Sequence, residues 1–125
     1  PKYGCGLGQC GSCQVLLDDR SVSSCILPVR AVGNRKITTL EGVRNEPQDW
    51  HPVQQAFIDH HAAQCGYCTN GMIISAIALL KKNPSPSETE IRNALQVHLC
   101  RCGTHPRVLQ AIRTLAKPKP QSQDP

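Results

Sequence analysis

Three cysteines and four glycines crowd the stretch Gly4-Cys5-Gly6-Leu7-Gly8-Gln9-Cys10-Gly11-Ser12-Cys13, and Cys25 follows. Thiolates are soft ligands, and the spacing C-x4-C-x2-C with a later fourth cysteine is the plant-type spacing for holding a [2Fe–2S] cluster. Glycine serves a backbone that turns through positive φ or approaches a bound group closely. Such a loop can also aim N–H groups at cluster sulfurs. A second set consists of Cys65-Gly66-Tyr67-Cys68 and Cys100-Arg101-Cys102-Gly103. The eight thiols thus divide into two groups of four. Three chemistries compete for them. A disulfide framework is weak, since Cys100 and Cys102 are too close to pair comfortably and no secretion signal is visible. Structural zinc uses similar C-x2-C loops but suits the glycine-rich C-x4-C-x2-C loop poorly. Two iron–sulfur clusters account for both sets.

Something must position these loops. Gln14-Val15-Leu16-Leu17 and Ser21 to Ile26 read as a β-hairpin with its turn near Asp18–Arg20. Leu27 to Val32 suits a short helical turn limited by Pro28, and Arg35 to Leu40 a third strand closed by Glu41-Gly42. Asn45 to His51 has no periodicity and reads as a linker. The second half is helical. A first helix runs from Pro52 to Gln64, with Val53, Ala56, Phe57 and His60 on one face. A second carries Ile73, Ala76, Ile77 and Leu80 and ends at Lys81-Lys82, before Pro84 and Pro86. Ser87-x-x-Glu90 is a capping box for a third, with Ile91, Ala94, Leu95, His98 and Leu99 inward. Pro106 opens a fourth, with Val108, Leu109, Ile112, Leu115 and Ala116 inward. The tail from Lys117 to Pro125 is Pro-rich, polar and expected to be disordered.

Packing those helices would bring Cys65/Cys68 and Cys100/Cys102, both in helix–helix loops, to one end of a bundle. Cys68 precedes the second helix and Cys102 the fourth, positions where a helix N-terminus lowers a thiol pKa and favours an anionic ligand.

The remaining composition narrows the function. A chain of 125 residues with four aromatics builds only a modest core, and small domains commonly recruit metal to compensate. The net charge of +5 is mild. Arg101, Arg107, Arg113, Lys117 and Lys119 enrich the C-terminal part, as a solvated face and tail or a docking patch for an acidic partner. No basic stripe is interleaved with aromatics, which argues against nucleic-acid binding. No run is long enough for a membrane span. The cysteines complete both ligand sets, so His51, His60, His61, His98 and His105 read as satisfied or solvated. His105 adjoins the Cys100/Cys102 loop and is the one to test. Tyr67 either shields a cluster, faces a partner or packs. Ser12 and Ser24 lack a base that would make them nucleophiles. Nothing forms a substrate pocket, and no residue reads as catalytic.

Lys2 to Cys13, Gln64-Cys65-Gly66-Tyr67-Cys68 and Leu99-Cys100-Arg101-Cys102-Gly103 resemble the small iron–sulfur subunit of molybdenum hydroxylases, the xanthine oxidase/dehydrogenase family. The resemblance runs from Lys2 to about Leu115. Cys102 to Arg107 and Pro52 to Ile58 look most like subunits of bacterial N-heterocycle hydroxylases, such as nicotinate dehydrogenase and isoquinoline 1-oxidoreductase.

The resemblance implies an α+β chain. Residues 1–46 would be the C-terminal part of a β-grasp ferredoxin-like domain, with Cys5, Cys10, Cys13 and Cys25 on one [2Fe–2S] cluster. Residues 52–116 would be an all-α four-helix domain, with Cys65, Cys68, Cys100 and Cys102 on the other, and 117–125 a disordered tail. It implies a large molybdopterin-binding partner, with Gln64 and Cys102 on the pterin side. Electrons would pass from molybdenum through the second cluster to the first, then to a flavin or cytochrome partner. Family members usually carry more chain before the first cysteine, so an N-terminal piece is expected to be absent. They often have proline where Asn70 stands, an exchange expected to have little consequence. Reduced thiolate ligation suits the cytoplasm, with the periplasm as alternative, since some relatives are exported folded with a partner.

Overall fold

The computed structural model describes residues 1–44, 46 and 48–118. Strand β1 (Gln14–Leu17) lies between β2 (Arg20–Ser23) and β3 (Ile37–Thr38), antiparallel to both, with Val15 opposite Val22 and Leu17 opposite Ile37. All four β1 residues are buried. Val15, Leu16 and Leu17 are apolar and Gln14 is satisfied by Ser21 and Ser23, which suits a central strand covered on both sides. Asp18 turns the hairpin at φ 53°, and its side chain accepts a hydrogen bond from the Lys36 N–H at 3.0 Å. Strand β2 ends sooner than its alternation suggests, because Ser24–Ile26 close into a 3-10 turn that carries Cys25. Helix α1 (Val29–Val32) follows Pro28. The third strand shrinks to two residues, Leu40–Gly42 forming another 3-10 turn. Asn45 and Pro47, within the expected linker, lie outside the described residues, as do residues 119–125 of the expected tail. Lys117 still donates its N–H to Pro84 O.

Four longer helices follow: α2 (Pro52–Asp59), α3 (Thr69–Lys82), α4 (Glu88–Leu95) and α5 (His105–Leu115). Helix α3 is the hub, packing on β1, β2, α2 and α4, while α5 lies against α2 and α4. Its Met72, Ile73, Ile74, Ala76 and Ile77 are all buried, and Leu16 of β1 joins them with Val53, Phe57, Ile91, Leu95, Val108 and Ile112 in one core. Each fully buried Ile there contributes roughly 1.5–3 kcal/mol of apolar transfer free energy.

Two helix ends differ from the sequence reading. Helix α2 stops at Asp59 rather than continuing to Gln64. His61 takes φ 49°, His61 N–H donates to Ile58 O, and Ala62 N–H donates to Phe57 O, a Schellman closure. Glycine would have announced it; histidine does not. Helix α4 stops at Leu95, so helical periodicity no longer governs residues 96–99. His98 turns inward, as expected, but Leu99 points out, 66% exposed. The capping box at Ser87/Glu90 is present, and His51 caps α2 by accepting the Val53 N–H on Nδ1 at 3.1 Å. Among the described residues no helix is long and apolar enough to cross a membrane.

Candidate metal centres

The first cysteine loop winds through Cys5, Cys10 and Cys13, and Cys25 reaches it from the turn after β2. Its backbone N–H groups converge on sulfur. Leu7 and Gln9 donate to Cys5 Sγ at 3.3 and 3.2 Å, and Cys5 donates to Cys10 Sγ at 3.4 Å. Gly8 donates to Cys25 Sγ at 3.3 Å, and Cys25 to Cys13 Sγ at 3.4 Å. These bonds favour the thiolate. The Leu7 and Gln9 N–H groups bring Cys5 down to about 6. At Cys13 burial pushes upward, but bonds from the Cys25 N–H and thiol and from Ser24 outweigh it and lower the group. Cys25 is raised, first by burial, with neighbouring Cys13 and Cys5 adding to it against the Gly8 N–H.

The second set assembles from the α2–α3 and α4–α5 connections. Cys65 is lowered by the Tyr67 N–H and then by the Cys102 thiol. Burial opposes Cys100, yet the Thr104 hydroxyl, whose Oγ1 lies 3.4 Å from Sγ, together with the Cys68 thiol and the Gly103 N–H bring it to about 6. Cys68 corrects the sequence reading. It stands at the N-cap of α3, but burial and then Cys100 push it up to about 12, so burial outweighs the helix dipole.

Among the described residues, no three His, Cys, Asp or Glu side chains close around one point where a single ion would sit. The thiols shift one another's pKa in pairs: Cys5 with Cys10, Cys13 with Cys25, Cys65 with Cys102, and Cys68 with Cys100. In each pair one thiol is lowered, at Cys5, Cys13, Cys65 and Cys100. Charge interactions join pairs across each set, Cys5 to Cys25 and Cys65 to Cys100. A [2Fe–2S] cluster takes two thiolates on each iron, so two pairs per site are a fitting donor set. Thiols held close to deprotonation also suit metal capture.

Gln64 and Cys102 come together as well. With Gly103, Thr104 and Arg107 they line a concavity of about 440 Å³ beside the second set. His105 opens α5, half-buried, and does not line this concavity. Of the other histidines, His51 is a cap and His98 is buried.

Several contacts join the two sets, and the sequence did not announce them. Leu99 N–H donates to Cys10 O at 3.1 Å, linking the neighbour of Cys100 to the carbonyl of Cys10. Tyr67 donates its hydroxyl to Tyr3 O, and Lys2 Nζ lies 6.0 Å from the Tyr67 ring centre. Asn70 is buried, with Nδ2 donating to Ser12 O at 2.9 Å. It ties α3 to the first cysteine loop, so the exchange for proline is not structurally idle. His98, in which burial holds the ring near 4 and neutral at pH 7, accepts or donates at Nε2 with Ser75 Oγ at 2.7 Å.

The profile of the [2Fe-2S] binding domain family matches residues 39–113. The A chain of nicotinate dehydrogenase from Pseudomonas putida is 56% identical over 94% of this chain and 74% of its own length. The alpha chain of isoquinoline 1-oxidoreductase from Brevundimonas diminuta is 47% identical over 93% of this chain and 75% of its own. The structure of quinoline 2-oxidoreductase from Pseudomonas putida 86 superposes with a TM-score of 0.82 at 38% identity, covering 89% of this chain and 68% of that one. Paired thiols, a mixed sheet-and-helix frame and these likenesses agree. The chain belongs to the [2Fe-2S] binding domain family, among the small iron–sulfur oxidoreductase subunits of the molybdenum hydroxylases.

Proposed function

We propose that the chain is the electron-transfer subunit of a heteromeric molybdopterin-dependent hydroxylase and holds two [2Fe–2S] clusters. Cys5, Cys10, Cys13 and Cys25 hold the first, within a β-grasp module of residues 1–46. Cys65, Cys68, Cys100 and Cys102 hold the second, within a four-helix module of residues 52–116. When bound, the clusters supply one-electron stations between a large partner's molybdenum centre and a flavin or cytochrome acceptor. The observation that carries this reading is the convergence of backbone N–H groups on the sulfurs of Cys5, Cys10, Cys13 and Cys25, with a second set of four thiols brought together by the α2–α3 and α4–α5 connections.

The chain's own residues do the rest. The concavity holding Gln64 and Cys102 is the face turned to the pterin, and Thr104 and the Gly103 N–H beside it temper the Cys100 sulfur. The N–H groups of Leu7, Gly8 and Gln9 hold negative charge at the first set and set its redox poise. Between the sets, the Leu99 N–H bonded to Cys10 O gives a covalent path broken by one hydrogen bond. The relatives' names point to an N-heterocycle as substrate of the whole enzyme, with an aldehyde as the other class, and the substrate site lies on the partner. Reduced thiolate ligation supports a cytoplasmic assembly, with the periplasm, reached by export of the folded complex, as the alternative.

Metal analysis tests the reading. It expects about four iron and four acid-labile sulfide per chain. A colourless protein carrying zinc in place of iron would make it an interaction module without redox function. Co-purification with a molybdopterin-binding partner separates this role from that of a free two-cluster ferredoxin.

A further inference from the structure

The two cysteine sets are brought together by a buried wedge. The His98 ring is 4% exposed and lies two residues before Cys100. It rests on Gly11, between the ligands Cys10 and Cys13, and a Cβ on Gly11 would overlap its Nδ1. Gly71 of α3 meets both, since a Cβ there would overlap Gly11 O and stand 2.9 Å from His98 Cε1. The Gly11 peptide is therefore clamped between α3 and the imidazole. Nδ1 faces that peptide without a hydrogen bond of good geometry. Nε2 is fixed by Ser75 Oγ at 2.7 Å. Ser75 Oγ is 3.1 Å from Ser21 Oγ, which bonds Gln14 Oε1, and Gln14 Nε2 bonds Ser23 Oγ. This chain of polar side chains pins the ring to α3, β1 and β2. Immediately beyond the ring, the Leu99 N–H meets Cys10 O.

We infer that His98 is a positioning residue that sets the separation of the two cluster sites and the contact between their ligand loops; this rests on the two-cluster reading above. The reason is geometric. An imidazole is rigid and planar, so it holds the Gly11 peptide against α3 as a flexible side chain would not. The hydrogen bond to Ser75 stops the ring from turning away from that peptide. With the ring in place, the Leu99 N–H and Cys10 O are held in register. Without it, the first cysteine loop is free to lift away from α3 into the space the ring leaves, and its cysteines move relative to Cys100. A void in so packed a place also lets the surrounding groups relax only in part.

The test uses the purified protein with its large partner, fully reduced with dithionite and read by low-temperature electron paramagnetic resonance. Two reduced clusters in neighbouring sites split each other's signals, and the splitting falls steeply with separation. Wild type is expected to contain iron for both clusters and to show resolved splitting. His98→Ala should keep both cluster signals at their own g values while the splitting changes in size or is lost. Ser75→Ala, which removes the pin and keeps the ring, should change it in the same direction by less. His98→Gln, which can still reach Ser75 Oγ, should restore part of the wild-type splitting. An unchanged splitting in His98→Ala overturns the inference, as does a wild-type spectrum with both clusters present and no splitting. If His98→Ala does not fold, Ser75→Ala decides: altered splitting at full iron content supports the wedge, and a wild-type spectrum overturns it. Wild-type protein lacking iron for a second cluster would instead sink the two-cluster reading.

Discussion

Substituting Gly71 by alanine sets two energies against each other. Glycine inside a helix costs about 1 kcal/mol relative to alanine, so on propensity alone Gly71→Ala in α3 should stabilise the protein by about that amount. The structure opposes it. The new methyl would overlap the carbonyl oxygen of Gly11 and crowd the His98 ring, and neither gives way easily. Gly11 O already accepts the Gln14 N–H at 3.3 Å, and the ring is pinned by Ser75. Overpacking a tight site costs about 1–3 kcal/mol, more where the obstruction is backbone. The balance predicts a net loss of about 1–2 kcal/mol, or a fall of roughly 5 °C in Tm for a domain of this size. Because the displaced peptide lies between Cys10 and Cys13, visible absorbance of the first cluster should bleach before the helices melt. Paired thermal scans by absorbance and far-ultraviolet circular dichroism measure both. A variant as stable as wild type, or more so, would refute the close packing of Gly11 on α3.

Asn70→Ala removes the donor to Ser12 O but also an orphaned buried oxygen, so it should cost about 1–2 kcal/mol in urea unfolding. Cys100→Ser should abolish reduction by substrate in the assembled enzyme while the first cluster's spectrum persists; reduction of that cluster at the wild-type rate would reverse the electron order. His51 is held below the ordinary histidine pKa, first by burial and then by Lys81, and it caps α2 only while Nδ1 is unprotonated. The unfolded chain therefore binds the proton more readily. Stability should be full above the ordinary histidine pKa and fall as pH drops through it toward the lower folded value. His51→Asn keeps a cap without that titration and should flatten this slope in pH-dependent urea melts.

What could be read from the sequence was whatever depends on local chemistry or period. Thiol spacing divided Cys5, Cys10, Cys13 and Cys25 from Cys65, Cys68, Cys100 and Cys102. The helix-period apolar residues Ile73, Ile77, Ile91, Leu95 and Ile112 are buried as that period requires. Ser87 and Glu90 marked a helix start that the structure keeps. The reading failed where a residue did what its type rarely does: His61 in left-handed backbone ended α2 early, and Leu99 turned outward because α4 had already stopped. Everything between the two cysteine sets was beyond it. Gly11, the α3 residues Asn70 and Ser75, and His98 come from three separate parts of the chain, and their meeting depends on how α3 packs across β1 and β2. Helix burial also reversed the expected effect of the N-cap on Cys68, since desolvation is a property of the packed site. Spacing alone sorted the cysteines into two candidate sets; only the packing decided how the two sets stand to one another, because that distance is set by side chains wedged between elements.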